Sequence, residues 1–376
     1  MKVLFQGRTE LLNRGGGDKV QIENTAQELR LLGVDVDISN KIPNSYNEYD
    51  LVHVFQLDWT PESYFYAKAA KKHNKPLVLS PIHHSLGEVK RFDDEYAFGM
   101  RRISKLLFSK QHDRDTFKNI YRSFFNPKKA PPTVASVFMG LDNMHKKTLS
   151  LADAVLVQTE LEATDLKETY SQNISWYKIP NGVSENFNSE KAYDNPFNFA
   201  DYIICVGRIE PRKNQLKTIE AVLRLRKETG KDIKLVLIGT ENPQRHLEFT
   251  YRFRKLRKKY SDWVVHIPKV AYSDIAAYYK YAKVCVSASW FETTGLTSLE
   301  AVLMGTNAVA SGLRAKEYLG DLASYCDPGS IDSIFHALLS EYYKARPSVS
   351  KNMLHEFTWK NAATKTYEVY LKLLTR

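Results

Sequence analysis

The stretch that decides the fold is VCVSASWFETTGLTSLEAVLMG, residues 284–305. Its opening run, VCVSAS, is mostly apolar and predicts a buried strand. Residues 297–304 have a helical pattern that ends at Gly305. A strand, a short loop and a helix form the repeating unit of a parallel α/β sheet. This pattern places Glu292 in the loop and Glu300 about two turns into the helix.

Strand-like apolar runs alternate with helical patterns along the chain, which predicts an α/β protein. The predicted strands are residues 2–5, 35–38, 51–55, 77–79 and 154–157 in the first half and residues 202–206, 234–238, 263–266 and 283–287 in the second. Residues 181–200 are rich in Asn, Ser and Glu and predict a linker between two doubly wound units.

Composition is typical of a soluble globular protein. The chain has 376 residues, of which 43% are hydrophobic and 26% charged. No apolar run approaches the ~20 residues that cross a bilayer. The three cysteines are far apart and form no C-x-x-C pair, which argues against a disulfide framework or a cysteine metal site and favours a cytoplasmic location.

The formal net charge of +11 is unevenly distributed. Residues 101–129 carry nine basic side chains against Asp113 and Asp115, a local charge of +7 (nine less two). The basic residues are Arg101, Arg102, Lys105, Lys110, Arg114, Lys118, Arg122, Lys128 and Lys129. Aromatic residues are interleaved with them. Such a surface binds nucleic acid, anionic lipid or phosphorylated substrates.

The loop between the strand and the helix of the first stretch carries the strongest indication of chemistry. Thr293, Thr294 and Gly295 place free backbone N–H groups at a helix start, where a phosphate is favoured. Glu292 and Glu300 supply carboxylates that accept hydrogen bonds from sugar hydroxyls. Diphosphate and sugar occur together in a nucleotide sugar, so we expect such a ligand here. The alternative is an ordinary crossover with two solvated acidic side chains.

Two further turns follow the first predicted strand of each half. Gly16 and Gly17, in the run RGGGD, precede a helical pattern and let the backbone approach a phosphate. Arg208 and Lys213, in GRIEPRKN, precede another helix and are suited to neutralising a diphosphate leaving group. A flexible turn and a solvated basic turn are the respective alternatives.

A pair of histidines, His83 and His84, follows the predicted strand at residues 77–79. The carboxyl ends of parallel strands border the binding crevice of an α/β sheet. A structural hydrogen-bonding role is the alternative for both. Carboxylates or cysteines that would complete a metal site are missing from the neighbouring sequence, so we predict no metal and no cofactor.

Together these motifs resemble glycosyltransferase family 4, retaining enzymes of the GT-B fold, over nearly the full length of the chain. The family's glycine loop, phosphate-binding pair and E-x7-E spacing are matched in order. Two end-of-domain signatures, ADAVLVQT and PNGV, are also similar. The chain departs from the family at Thr293 and Thr294, where glycine and an aromatic residue are usual, and at Asn307, where proline is usual. The donor sugar therefore stays open.

The resemblance implies two Rossmann-like, doubly wound domains facing across a cleft. An acceptor-binding domain is expected over residues 1–190, a nucleotide-sugar-binding domain over residues 191–355, and a C-terminal helix returning to the first domain over residues 356–376. The implied activity is metal-independent, retaining hexosyl transfer from a UDP or GDP sugar. The implied acceptor is a glycan, lipid-linked, in cell-surface polysaccharide or lipopolysaccharide synthesis.

The resemblance also implies roles for individual residues. The expected catalytic residues are Glu292, Arg208, Lys213 and His83. The expected donor-binding residues are Gly16, Gly17, Arg208, Lys213, Val270, Thr294, Gly295, Leu296 and Glu300. The expected acceptor-binding residues are Arg8, His84 and Asn181.

A peripheral position on the cytoplasmic face of a membrane is expected, with residues 101–129 on anionic lipid. The alternative is that the aromatic residues of this segment form core and its cations merely face water. A sugar-nucleotide 2-epimerase of the same architecture is an alternative function. A basic nucleic-acid-binding protein is a second alternative, but no recognition motif supports it, so no nucleic-acid partner is predicted.

Overall fold

In the part of the chain that the structure describes, two six-stranded parallel sheets organise the fold. The structure is a computed structural model and describes residues 1–11, 16–58, 61–95, 100–125, 130–170 and 172–375. The chain divides into two compact units. Unit 1 comprises Met1–Leu86, Ile103–Gly182 and Glu356–Arg376, and unit 2 comprises Gly87–Arg102 and Val183–His355.

The sheet of unit 1 has the order β2-β1-β3-β4-β5-β6. Its strands are β1 (Lys2–Gln6), β2 (Asp35–Ser39), β3 (Leu51–Phe55), β4 (Leu77–Ser80), β5 (Ala154–Val157) and β6 (Trp176–Lys178). The sheet of unit 2 has the order β12-β11-β10-β7-β8-β9. Its strands are β7 (Tyr202–Val206), β8 (Lys234–Ile238), β9 (Val264–Ile267), β10 (Val284–Ser287), β11 (Asn307–Ser311) and β12 (Ala323–Cys326).

Helices connect the strands, as the crossovers between parallel strands require. Within the described residues they are α1 (Gly17–Leu31), α2 (Glu62–Lys72), α3 (Leu86–Glu95), α4 (Met100–Leu107), α5 (Gln111–Phe125), α6 (Ala130–Met139), α7 (Leu141–Leu151), α8 (Glu160–Tyr170), α9 (Gln215–Thr229), α10 (Leu247–Lys259), α11 (Ile275–Tyr281), α12 (Leu296–Leu303), α13 (Leu313–Leu319), α14 (Ile331–Tyr343), α15 (Lys351–Glu356) and α16 (Trp359–Leu374). None of these helices is long and apolar enough to cross a membrane.

The central strands are buried on both faces, which explains why they appear in the sequence as continuous apolar runs. β3, β4, β5, β10 and β11 are buried at every residue. All nine strands predicted from the sequence are confirmed within a residue or two at their ends. β6, β11 and β12 were not predicted.

The last helix, α16, packs against α1 in unit 1. The chain enters it beside Gly182, where a Cβ atom would lie 2.1 Å from the backbone nitrogen of Trp359. Only glycine permits that approach. Further along the helix, the hydroxyl of Tyr370 lies 2.6 Å from Nδ1 of the buried His53 on β3.

Each sheet has a point where the strand order reverses direction, and ligands of α/β proteins bind outside the carboxyl ends of the strands there. In unit 1 this point lies between β1 and β3, and in unit 2 it lies between β7 and β10. Arg8 follows β1, Arg208 follows β7 and Glu292 follows β10. The strand order therefore places these three turns where α/β proteins bind ligands.

Candidate functional site

A basic turn follows β7 at the switch point of unit 2. Gly207 has a φ of 146°, which favours glycine. A Cβ at Gly239, after β8, would lie 2.0 Å from the carbonyl oxygen of Gly207, so glycine is required for the two loops to meet. The short 3-10 turn Pro211–Lys213 then ends at Asn214, in left-handed conformation, where α9 begins. Arg208 projects from this turn with 51% of its side chain exposed.

The Glu292 carboxylate is held by two cations of the basic turn. Its Oε1 accepts a hydrogen bond from Lys213 Nζ, and its Oε2 lies 3.7 Å from Arg212 Nη1. Burial alone would raise the pKa of this carboxyl group. The charges of Lys213 and Arg212 outweigh burial and lower the pKa of Glu292 to about 2. Glu292 is therefore ionised throughout the physiological pH range.

A second carboxylate, Glu210, pairs with Arg208 and also with Arg212, which it shares with Glu292. Its Oε1 lies 3.3 Å from Arg208 Nη2 and 3.2 Å from Arg212 Nε. Burial opposes its ionisation, but the charges of Arg212 and Arg208 lower its pKa. Three cations (Arg208, Arg212 and Lys213) and two carboxylates leave a local charge of +1 (three less two). Such a balance suits an anionic diphosphate.

The Glu300 side chain, on α12, has the opposite environment. It is 5% exposed, its Oε1 accepts a hydrogen bond of 2.9 Å from the Tyr272 hydroxyl, and its Oε2 accepts one of 3.0 Å from Tyr279. Burial raises the pKa of Glu300 to about 7, although both hydroxyls and the charge of Lys213 act in the other direction. Near neutral pH this group therefore exists in both protonation states, and only its ionised form is a pure acceptor.

Between the two glutamates, the start of α12 offers donors to an anion. Thr294, Gly295 and Leu296 form this start, and Gly295 has a φ of 59°. N–H groups of a first helical turn have no carbonyl partner within the helix, and the positive end of the helix dipole lies there. Within the described residues, no hydrogen-bond partner reaches the buried hydroxyls of Thr297 and Ser298. The start of α12 therefore carries both backbone N–H groups and side-chain hydroxyl groups that are suited to an anion.

In unit 1, His83 and His84 share the carboxylate of Asp58. Asp58 Oδ1 lies 2.5 Å from His83 Nδ1, and Oδ2 lies 3.0 Å from His84 Nδ1. The His83 backbone N–H donates to Glu162 Oε1 at 2.7 Å. Burial would raise the pKa of Asp58, but the two imidazoles hold it far below its usual range. Both histidines are buried, so their ring orientations are fixed by Asp58.

The predicted glycine loop meets Arg8 through Asp18 of α1. Arg8 Nε lies 2.5 Å from Asp18 Oδ2, and Arg8 Nη2 lies 3.2 Å from Oδ1, a bidentate pair. A Cβ at Gly16 would lie 2.5 Å from Asp18 Oδ1, so the pair closes directly over this glycine. Gly17 is the first residue of α1. Arg14 and Gly15 of the same loop lie outside the described residues.

Asn181 is 6% exposed and lines a small internal cavity in unit 1 with Gln21, His53 and Ser80. The cavity has room for about one water molecule. Val270 of unit 2 is half-buried and lies three residues beyond the end of β9.

The structure thus brings Arg208, Lys213 and Glu292 together through shared ion pairs, and it joins His83 to His84 through Asp58. Sequence reasoning missed the partner residues. These are Arg212, Glu210, Tyr272, Tyr279 and Asp58. Alternating charges in IEPRKN were a usable signal for Glu210 and Arg212. The sequence around Tyr272 gives no such signal.

The basic segment, residues 101–129, differs from the continuous cationic surface predicted for it. Lys118 is buried and pairs with Asp115 at 2.6 Å. Arg114 is also buried, and its Nε donates to the carbonyl oxygen of Phe108 at 2.8 Å. These two cations serve internal contacts because they face into unit 1. Lys128 and Lys129 lie outside the described residues, as do the side chains of Arg101, Arg122, Phe124 and Phe125.

Comparison with known proteins bears on the unit that holds both glutamates. Residues 200–341 match the family model described as Glycosyl transferases group 1. The chain is 27% identical over 179 residues to the O-antigen chain mannosyltransferase B of Escherichia coli, which covers 46% of each chain. It is 26% identical over 238 residues to the alpha-monoglucosyldiacylglycerol synthase of Streptococcus pneumoniae, covering 58% of this chain and 52% of the relative. The match spans about half the length of these curated relatives.

Solved structures share the fold over the whole chain. A sucrose-phosphate synthase from Thermosynechococcus elongatus superimposes with a TM-score of 0.73 at 17% identity, covering 100% of this chain and 99% of its own. Anabaena Alr3699/HepE in complex with UDP gives a TM-score of 0.67 at 15% identity, covering 99% and 100%. The predicted GT-B fold with two Rossmann-like units is confirmed. The predicted resemblance to family 4 glycosyltransferases is likewise confirmed.

Proposed function

We propose that this chain, in which residues 200–341 match the Glycosyl transferases group 1 model, is a retaining hexosyltransferase using a nucleoside-diphosphate sugar. One observation carries the proposal. Glu292 is ion-paired with Lys213 and Arg212 at the carboxyl ends of β7 and β10, beside the start of α12. Likeness to a protein named as a mannosyltransferase supports the same proposal.

In this proposal unit 2 binds the donor. The diphosphate contacts Arg208, Lys213 and the backbone N–H groups at the start of α12, where the local charge of +1 and the helix dipole favour it. Glu292 contacts the donor sugar. Glu300 accepts hydrogen bonds from the ribose hydroxyls, and the backbone at Val270 holds the base. A UDP or GDP donor fits this set, and UDP is named in the complex of the Anabaena neighbour.

The proposed chemistry begins with departure of the nucleoside diphosphate. As the bond from the sugar to the phosphate oxygen breaks, negative charge develops on that oxygen. Lys213 and Arg208 stabilise the charge, and because they are already held by Glu292 and Glu210 they need little reorganisation. The acceptor hydroxyl attacks from the same face and its proton passes to the departing phosphate. The two fixed cations take the place of a divalent metal.

Unit 1 supplies the acceptor side of the proposal. Arg8, His84 and Asn181 contact the acceptor, Gly16 and Gly17 approach the donor phosphate, and His83 lies at the reacting centre. Asp58 has a supporting role here because it fixes both imidazoles. Removing Asp58 would leave two buried histidines without their orienting carboxylate.

A lipid-linked acceptor at a membrane surface is the remaining part of the proposal. α4 exposes Ile103, Leu106 and Leu107, spaced at i, i+3 and i+4 on one helical face. Arg102 and Lys105, also exposed, lie on the adjacent face. A short helix with a solvent-exposed apolar face beside cations is suited to an anionic bilayer interface. The relatives named for O-antigen and diacylglycerol glycosylation support this acceptor class.

Sedimentation with vesicles of anionic phospholipid tests the membrane part. Replacing Ile103, Leu106 and Leu107 with serine should weaken binding about tenfold or more, since each loses burial in the bilayer interface. Leu31→Ser, which removes an equally exposed leucine from α1, is the matched control and should leave binding unchanged. Equal binding by all three proteins would contradict this surface.

The activity itself is tested by a donor screen that measures nucleoside diphosphate release with and without a lipid extract. We expect release from one UDP or GDP sugar, stimulated by the extract. A change in the sugar of the donor without release of nucleoside diphosphate would support an epimerase. Salt-dependent retention of DNA without any turnover would support a nucleic-acid-binding protein.

A further inference from the structure

Helix α3 contacts the segment next to Glu292, and the sequence motifs did not predict these contacts. Phe92 is 2% exposed, and its ring centroid lies 5.8 Å from that of Trp290 and 5.6 Å from that of Phe291. Trp290 and Phe291 directly precede Glu292 in the chain. α3 therefore packs on the segment that carries the Glu292 carboxylate.

Within unit 2, Arg91 joins the same helix to the loop after β12. Its Nη2 lies 2.9 Å from Asp327 Oδ1, and its guanidinium lies 5.8 Å from the ring centre of Trp290. Within α3 its Nε lies 2.6 Å from Glu95 Oε1. A Cβ at Gly329 would lie 2.6 Å from Arg91 Nη2, so the loop after β12 closes tightly over this side chain.

The basic turn and α9 contact the same aromatic pair. The backbone N–H of Trp290 donates to the carbonyl oxygen of Arg212 at 2.9 Å. The Arg212 guanidinium lies 5.4 Å from the Phe291 ring centre, and Lys217 Nζ lies 5.1 Å from that of Trp290. A shift of α3 would therefore move the aromatic pair relative to the turn that supplies the cations for Glu292.

We propose that Phe92 and Arg91 are positioning residues for Glu292. They hold Trp290 and Phe291 against the basic turn and so keep the carboxylate aligned with Lys213. The catalytic consequence rests on the proposed function, whereas the contact does not. Phe92 makes the larger contribution because it is buried. The Arg91 side chain is 45% exposed, so its ion pairs are weakened by water and salt.

Kinetic variants of α3 test the consequence. Phe92→Ala should lower kcat about tenfold to a hundredfold with a much smaller change in the KM for the donor, because the reacting geometry and not the phosphate grip is disturbed. Phe92→Leu should recover most of the loss. Arg91→Ala should lower kcat about threefold and Arg91→Lys less. Lys90→Ala, on the same helix with an exposed partner at Asp94, is the control and should match the wild type.

Hydrogen exchange of the peptide covering residues 289–296 tests the contact without any assumption about the donor. We expect faster amide exchange in Phe92→Ala and Arg91→Ala than in the wild type and Lys90→Ala, with thermal melting confirming that each variant is folded. If Phe92→Ala does not fold, the same exchange measurement is made on Gly329→Ala. The added Cβ of that variant displaces the Arg91 guanidinium. Unchanged exchange would overturn the proposal. Absence of turnover by the wild type would overturn the proposed function. The exchange result would still show whether α3 holds the segment that carries Glu292.

Discussion

Glu292 and Glu300 lie eight positions apart in one loop and helix, yet their carboxyl groups have opposite electrostatic environments. Lys213 and Arg212 lower the pKa of Glu292 to about 2, whereas burial beside Tyr272 raises that of Glu300 to about 7. Both groups are largely removed from water. The difference therefore comes from the neighbours, since one glutamate faces cations and the other faces hydroxyl groups.

This difference suits the two glutamates to different roles in one proposed ligand site, Glu292 at the sugar and diphosphate and Glu300 at the ribose. A permanently ionised Glu292, already paired with Lys213, suits the sugar and diphosphate end, where charge changes during reaction. Glu300, whose carboxyl group ionises near pH 7, suits the ribose end, where its ionised form accepts hydrogen bonds from the hydroxyl groups.

The largest effect is expected from Glu292→Gln. The variant keeps the shape of the side chain but loses the charge that pairs with Lys213 and contacts the donor sugar. We expect kcat to fall about a hundredfold to a thousandfold, and nucleoside diphosphate affinity to change less than about threefold. Steady-state kinetics with calorimetric titration would show this. Similar losses in kcat and in nucleoside diphosphate affinity would contradict the assignment of Glu292 to the reaction and Glu300 to binding.

Lys213→Ala and Arg208→Ala should each reduce turnover, Lys213 the more strongly. Removing a charged contact to the leaving group costs about 3 kcal/mol, or about a hundredfold. Arg208 should show less because half of its side chain is in water. Arg252→Ala on α10, which breaks an exposed pair with Glu248, is the control. Near-wild-type turnover in both variants of the basic turn would exclude it from the reaction.

A smaller, pH-dependent effect is expected at Glu300. If its ionised form binds the ribose, nucleoside diphosphate affinity should rise about tenfold between pH 6 and pH 8, as a group with a pKa of about 7 ionises. Glu300→Gln should bind more weakly and lack this component of the pH dependence. Calorimetric titrations across the range would measure it. A wild-type profile identical to that of the variant would contradict the assignment.

The same pKa shift predicts a change in stability of defined sign. The folded-state pKa is raised above the ordinary value of 4.5, so the folded state binds the extra proton between pH 4.5 and pH 7. The stability contribution of Glu300 is full below pH 4.5 and is lost as the pH rises through 7. Glu300→Gln should therefore gain stability over the wild type at pH 8, by about 3 kcal/mol, and the gain should vanish near pH 4.5. Denaturant unfolding at both pH values checks it.

The smallest effect is expected from chelation. Because Arg208 and Lys213 supply the positive charge at the proposed leaving group, turnover should be unchanged in excess chelator. Complete loss of turnover, restored by magnesium or manganese, would show that the fixed cations are insufficient.

Motifs at strand ends were predictable because strand order fixes where they meet. The runs around Gly207 and Glu292 follow buried apolar strands, and the reversal of order between β7 and β10 brings them together. β6 and β12 escaped prediction because they lie at the edges of their sheets and lack a continuous buried apolar run: no residue of β6 is buried, and only the two end residues of β12 are. β11, Asn307–Ser311, has the sequence NAVAS, in which Val309 is the single β-branched residue, so its strand signal is weak.

The electrostatic partners were less predictable. Tyr272 reaches Glu300 across 28 positions, and a local pattern cannot specify which hydroxyl meets a buried carboxylate. Burial of Lys118 and Arg114 was likewise missed, since charge alone indicates a solvated face. The packing of Phe92 on Trp290 depends on a segment of the first half that groups with unit 2. Such contacts depend on tertiary structure.

A double-mutant cycle on the ligand and Glu300 tests the central claim, that this stretch holds a nucleoside diphosphate sugar, most directly. The affinities of UDP or GDP, whichever binds more tightly, and of its analogue lacking the ribose hydroxyls would be measured on the wild type and on Glu300→Gln. The account predicts that losing the hydroxyls weakens binding about tenfold in the wild type and hardly at all in the variant. Equal weakening in both proteins, or no binding of either nucleotide, would contradict it.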